Sequence, residues 1–463
     1  MKFKHILFFL FLSQATFANI VLPEIFTSNM VLQQKSTVKI WGWAKSGETI
    51  RMSLGWSSET YVAKAEANGN FVFEVKTPSY GGPYDIVLHG YNKVVLSNVL
   101  IGEVWLVSGQ SNMEWTAGAG IEGGEAEIAK ANYPNIRLFT VANSSADYPQ
   151  KDLNGQWQVC TPETMKQFSA VGYFFAQNIN QNLQIPIGII NSSWGGTPAE
   201  AWTPAESIAS NPILQKDAAA LQEVPWGPVK TASLYNGMIH PIVSYKIKGA
   251  LWYQGEANVV HASHYDLLLN NMITSWRSKW GYEFPFYLVQ IAPYKYGQPE
   301  EGVILRNAQR MVEKNTPNTH MVVISDIGNI NDIHPRNKKD VGERLANAAM
   351  KNEYYGSVKP ISGPKLLTYE LKNGKIILYF DSPVLNCGRE CENQFEIADT
   401  SGEFKEAKVR VRSNTVTLSN SRINYPQFAR FAWGNISESK LTDKDNLPAS
   451  SFVTDNWWEF KGF

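Results

Sequence analysis

Five short apolar runs, at 104–107, 187–190, 250–253, 286–291 and 321–324, constrain this chain more than any other feature. Each is too short for a helix, and none alternates with polar residues as a strand with one wet face would. Helical patterns separate them. Phe168, Val171, Phe175 and Ile179 lie on one helical stripe, and similar segments occupy 264–279, 302–314 and 339–351. Strands buried on both faces and alternating with helices form a doubly wound sheet. The expected core is α/β, with a mostly parallel five-stranded sheet.

Different patterning flanks that core. Short β-runs at 38–43, 50–54, 61–67, 71–75, 84–88 and 94–96 predict an N-terminal sandwich, with Asn68-Gly69 as a hairpin signal. The β-pattern returns at 366–371, 376–380, 407–411 and 415–418, with Asn373-Gly374 as a second hairpin. A chain of 463 residues exceeds what one core organises. The expected division is residues 1–18 as a signal peptide, 19–100 as an N-terminal β-domain, 101–355 as the α/β domain and 356–463 as a C-terminal β-domain. The first segment has Lys2 and Lys4, an apolar run at 6–12 and Thr16-Phe17-Ala18 as a small-residue cleavage site. Export to the periplasm or the outside follows as an expectation.

The charge balance excludes some partners. Lys and Arg number 42, as do Asp and Glu, and loss of Lys2 and Lys4 leaves 40 against 42. That offers no electrostatic footprint for nucleic acid or an anionic membrane, and no later run reaches the length of a membrane span. With three cysteines there is no disulfide framework, although Cys387 and Cys391 are spaced to bridge a tight turn and Cys160 suits a buried position. Two thiols with no nearby histidine do not make a metal site. Neither a metal nor a cofactor is expected.

Chemistry concentrates where the runs end. The first gives Gly109-Gln110-Ser111-Asn112; the second, Asn191-Ser192-Ser193-Trp194-Gly195-Gly196-Thr197; the third, Gln254-Gly255-Glu256-Ala257-Asn258; the fourth, Gln290; the fifth, Ser325-Asp326, with His334 in the loop beyond. Ligands bind at the carboxyl ends of strands in such sheets. Acyl transfer from an ester needs a hydroxyl nucleophile, an imidazole, a group to orient it and donors for the oxyanion. Ser111 and His334 supply the first two. The N–H groups of Ser111 and of Gly195 or Gly196, with the Asn258 amide, are candidate oxyanion donors, and Gln110 and Gln254 are further candidates to line the site. Asp332 and Glu256 are the candidate orienting carboxylates. Taken singly, Ser111 reads as a turn or cap residue, His334 as a loop histidine and Gly195-Gly196 as a turn. Their order on successive strand ends is what joins them.

These blocks resemble a known family. Gly109-Gln110-Ser111-Asn112-Met113-Glu114-Trp115, Ser193-Trp194-Gly195-Gly196-Thr197, Trp252-Tyr253-Gln254-Gly255-Glu256-Ala257-Asn258 and Ile333-His334-Pro335-Arg336-Asn337-Lys338 are similar to the signature blocks of sialate O-acetylesterases, within the SGNH hydrolase superfamily. Asn29-Met30-Val31-Leu32-Gln33-Gln34, Ile40-Trp41-Gly42-Trp43-Ala44, Phe431-Ala432-Trp433 and Leu447-Pro448-Ala449-Ser450 extend the likeness to both flanks. The resemblance implies a flavodoxin-like three-layer α/β/α core, no metal, an O-acetylated sugar as substrate, Ser111 as nucleophile and His334 as base. The superfamily favours Asp three residues before the His, where this chain has Asn331 followed by Asp332. The partner of His334 thus stays open among Asp332, Glu256 and a backbone carbonyl. Related acetylxylan esterases share the Gln-Gly-Glu block, so acetylated polysaccharide is an alternative substrate. A non-catalytic secreted glycan-binding protein is the alternative of another class.

Overall fold

The structure, a computed structural model, describes residues 19–354, 361–383 and 385–454. The expected signal peptide and the expected boundary at 355/356 lie outside the described residues.

The central sheet is built from β1 (Lys93–Gly109), β2 (Tyr133–Thr140), β3 (Trp157–Cys160), β4 (Ile187–Ser193), β5 (Gly249–Tyr253), β6 (Phe286–Val289) and β7 (Thr319–Val322), in the order β7-β6-β5-β1-β4-β2-β3. The strands from β7 through β2 pair in parallel, and β3 closes the edge antiparallel to β2. Side chains of β5 alternate between two layers. Ala250 and Trp252 enter the core formed with α2 (Tyr265–Trp280) and α3 (Glu301–Asn315), whereas Leu251 and Tyr253 face α1 (Ala170–Leu183) and α4 (Lys338–Glu353). Period-two alternation with both faces apolar is why these strands read as unbroken hydrophobic runs.

The expectation of five strands missed β2 and β3. The β2 segment, Tyr-Pro-Asn-Ile-Arg-Leu-Phe-Thr, carries Arg137 in its middle, which breaks the apolar run. Arg137 is nevertheless buried, because its guanidinium donates to the carbonyls of Pro134, Asn29 and Asn98 and to Asn98 Oδ1. Satisfied donors remove most of the cost of burying the charge.

The boundary expected at 100/101 falls inside a single strand. The first half of β1 pairs antiparallel with Gly81–His89 and with Val31–Gln33 in parallel, and its second half lies between β4 and β5. Exposed and buried positions mix up to Asn98, and every residue from Val99 to Gly109 is buried. One strand thus passes from a half-wet sheet into a fully covered one, and the change of pattern reads as a boundary. The Asn68-Gly69 hairpin also fails. The flanking strands Ser57–Lys64 and Asn70–Lys76 pair with different partners, Thr49–Leu54 and Thr37–Trp43, so the turn carries the chain between two sheets. Only Gly69 has positive φ there, whereas a type I′ turn needs both central residues positive. Asn373 (φ 51°) and Gly374 (φ 69°) meet that requirement and join Leu366–Lys372 to Lys375–Phe380 as expected.

The C-terminal β-region forms two four-stranded sheets around its own core and carries the Cys387–Cys391 disulfide. It docks on α3: Trp433 and Val453 pack on Val303, Asn435 Oδ1 accepts from Gly302 N–H at 2.9 Å, and Arg306 donates to the Gly434 and Asn435 carbonyls. Gln290, at a strand end, is spent on this seam through Ser450 Oγ at 2.7 Å. No helix among the described residues is long and apolar enough to cross a membrane.

Candidate active site

Strand β1 stops at Gly109 because its φ of 137° leaves the extended region and a Cβ there would collide with the Tyr253 carbonyl. The chain turns at once into a helical turn, Ser111–Glu114, whose Met113 and Glu114 N–H groups both donate to Gln110 O. Ser169, the N-cap of α1, clamps that turn by donating its hydroxyl to Met113 O at 2.6 Å. A rigid support at the start of α1 therefore presents the Ser111 hydroxyl at the carboxyl end of the central strand.

His334 arrives on the loop between β7 and α4. Its Nε2 lies 2.8 Å from Ser111 Oγ, the distance of a hydrogen bond. The loop is tied by its own residues, with Asp332 N–H donating to Asn329 O and Asn337 capping α4 through Asp340 N–H. Neither candidate carboxylate holds the imidazole. Asp332 Oδ1 accepts from the backbone N–H of His334 at 2.9 Å, and Asn331 Oδ1 accepts from Lys295 Nζ at 2.6 Å. Glu256 Oε1 accepts from Asn112 Nδ2 at 2.6 Å. The His334 Nδ1 has no hydrogen-bond partner among the described residues, so the backbone-carbonyl option is not realised either. What fixes the ring plane is Trp115, stacked on it with centroids 4.7 Å apart and planes 24° apart.

Beneath the pair lies a buried polar core in which Glu256, expected at the site, is joined by Asn112 and Lys338, which were not. Asn112 donates to Glu256 and also to the carbonyl of Ile333 at 2.9 Å, and its Oδ1 accepts from Lys338 Nζ at 2.6 Å. The neighbour of Ser111 thereby holds the neighbour of His334. Burial pushes the Lys338 ammonium down to about 7, opposed by the Glu256 charge. Burial pushes the Glu256 carboxyl up, opposed by hydrogen bonds including that from Asn112 and by Lys338. His334 is held below its usual value, first by partial burial and then by the Lys338 charge, with Asp332 pulling the other way. A depressed imidazole is neutral at neutral pH and therefore able to take a proton. Asn112, Trp115 and Lys338 all sit within the quoted blocks; their spacing of one and four residues from Ser111, and four from His334, was the available signal.

The candidate oxyanion donors separate. Gly195 N–H donates to Glu114 Oε2 at 2.7 Å and is occupied. The N–H groups of Ser111 and Gly196 donate to no protein group among the described residues. Asn258 is buried, with Nδ2 on Glu200 Oε2 at 2.8 Å and Oδ1 accepting from Ala199 N–H and Gln254 Nε2, so it braces the strand ends. Gln254, fully buried, also donates to Thr197 O and accepts from the Tyr265 hydroxyl. Gln110 Oε1 accepts from the N–H groups of Gly255 and Ala257, which shapes the turn before Glu256. Asp326 is spent on a two-pronged pair with Arg344. Among the described residues no group of three or more His, Cys, Asp or Glu side chains is arranged to hold a metal ion.

The chain as a whole is similar to known proteins. Residues 101–351 match the family described as carbohydrate esterase, sialic acid-specific acetylesterase. The sialate O-acetylesterases of Pongo abelii and Homo sapiens are each 32% identical over 382 residues, covering 74% of this chain and 71% of theirs. A carbohydrate acetylesterase from Xanthomonas citri, known as a crystal structure, is 34% identical with a TM-score of 0.85, covering 95% of this chain and all of that one.

Proposed function

Because the chain belongs to the sialic acid-specific acetylesterase family of carbohydrate esterases and is a carbohydrate O-acetylesterase, we propose that Ser111 is its nucleophile and His334 its general base. The observation that carries this reading is the 2.8 Å approach of His334 Nε2 to Ser111 Oγ at the carboxyl end of β1. Ser111 Oγ attacks the acetyl carbonyl carbon as its proton passes to Nε2. The carbonyl oxygen, now negative, is met by the N–H groups of Ser111 and Gly196. Collapse of this intermediate breaks the bond to the sugar oxygen, which takes the proton back from His334. Water, giving a proton to the same imidazole, then attacks the acetyl-serine; the bond to Ser111 Oγ breaks, His334 returns the proton to that oxygen, and acetate leaves.

The substrate we propose is O-acetylated sialic acid, on the support of the family and the curated relatives. Action outside the cytoplasm is supported by the leader-like N-terminus and by the Cys387–Cys391 bridge, which suits an oxidising compartment. Acetate release from O-acetylated sialic acid, acetylated xylan and acetylated mannan tests the substrate. The expected result is the highest kcat/KM on the sialic acid. Preferential release from xylan would reassign the enzyme to wall polysaccharide, and saturable glycan binding without any acetate release would refute an esterase altogether.

A further inference from the structure

Beside Ser111 stands an aromatic surface that the chemistry above does not use. Trp226 is 62% exposed, the one Trp among the exposed large apolar side chains of the described residues. Tryptophan is highly buried on average, so what sets this exposed indole apart is its place next to the glycine pair that packs on Ser111. Its place is defined by the two glycines. A Cβ on Gly195 would lie 3.2 Å from Ser111 Cβ, and a Cβ on Gly196 would collide with the Trp226 indole. Adjacent Cα atoms are about 3.8 Å apart, so the indole begins one residue beyond the nucleophile's own contact.

The turn that carries Trp226 is anchored. Trp194 Nε1 donates to the Trp226 carbonyl at 3.2 Å, and Val224 bridges to Gly227. Gly227 lies against Gly195 and Thr197 so closely that a Cβ would come within 2.9 Å of Gly195 O and 2.8 Å of Thr197 Cγ2. A ring exposed on a fixed backbone loses little freedom when a ligand covers it.

We propose that Trp226 is the platform on which the pyranose ring of the acetylated sugar stacks, placing the acetylated hydroxyl over Ser111. The apolar C–H face of the ring covers the indole and its hydroxyls stay in water. The enzyme in this way reads the sugar as well as the acetyl group. The assignment rests on Ser111 as nucleophile, and the absence of a residue other than Gly at 196 is what lets the indole approach.

The test compares Trp226→Ala, Trp226→Phe and the parent enzyme on O-acetylated sialic acid and on vinyl acetate, an activated acetyl ester with no ring. Trp226→Ala is expected to lose about 3- to 10-fold more kcat/KM on the sugar ester than on vinyl acetate, mainly through KM, and Trp226→Phe to recover much of the difference. Equal losses on both esters, or no loss on the sugar ester, would overturn the proposal. Ser111→Ala run in parallel separates the two claims: its retention of activity refutes the nucleophile, whereas the ratio between esters reports on Trp226 alone.

Discussion

Ser111→Ala is expected to fold like the parent and to lose several orders of magnitude in turnover of an aryl acetate. The change removes one oxygen and keeps the Cβ. The backbone bonds of the turn, from Met113 and Glu114 N–H to Gln110 O and from Trp115 N–H to Ser111 O, do not involve the hydroxyl. Stability should therefore shift by no more than about 0.5 kcal/mol. His334→Ala should cost a similar factor, and the double variant little more than either alone, because nucleophile and base act as one unit. Initial rates together with a thermal melt check all three. Turnover near the parent level in a folded Ser111→Ala enzyme would remove the basis of the mechanism.

The second large effect is expected beneath the site. Lys338 and Glu256 are both buried and meet through Asn112, so loss of either leaves the other charge in the interior without its partner. Lys338→Met and Glu256→Gln should each destabilise by about 1–3 kcal/mol, the usual cost of leaving a buried polar partner unsatisfied. Combined, they should cost clearly less than the sum, because the second change removes the charge the first one stranded. Denaturant midpoints of the four proteins measure this; strict additivity would show that the two do not interact. Lys338→Met should also move the pH profile. The Lys338 charge lowers the His334 pKa, so its removal raises it, and the acid limb of kcat/KM, which the parent holds below the usual imidazole range, shifts to higher pH. A Lys338 that merely filled space would leave the limb where it was.

Much of this architecture is readable from local pattern. Runs such as that at Phe286–Val289 are apolar because both faces of the sheet are covered, and an interior of that kind leaves its mark on every residue. Ser111 and His334 stand out as candidates for a related reason, since ligands of a doubly wound fold bind at its strand ends, and the fold brings the two side chains within 2.8 Å of each other. Legibility failed where a residue's meaning depends on a distant partner. Arg137 reads as a break in a strand until three carbonyls and an Asn98 amide are brought to its guanidinium. Gly195 reads as an oxyanion donor until Glu114 occupies its N–H. Asp332 reads as a candidate to orient His334 yet binds its backbone, and the imidazole is stacked instead on Trp115, some two hundred residues earlier in the chain. Asn68-Gly69 and Asn373-Gly374 offer the same dipeptide with opposite results, because the strands around the first are drawn into different sheets by tertiary packing.

The central claim is that an acetyl group passes through Ser111. Rapid acid quenching of the enzyme during turnover of an isotopically labelled acetyl ester, followed by proteolysis and mass spectrometry, examines that transfer directly. The account predicts labelled acetyl on the peptide containing Gly109-Gln110-Ser111-Asn112, located at Ser111 by fragmentation and missing from Ser111→Ala. Steady acetate release with no labelled serine, or label on a different side chain, would contradict it.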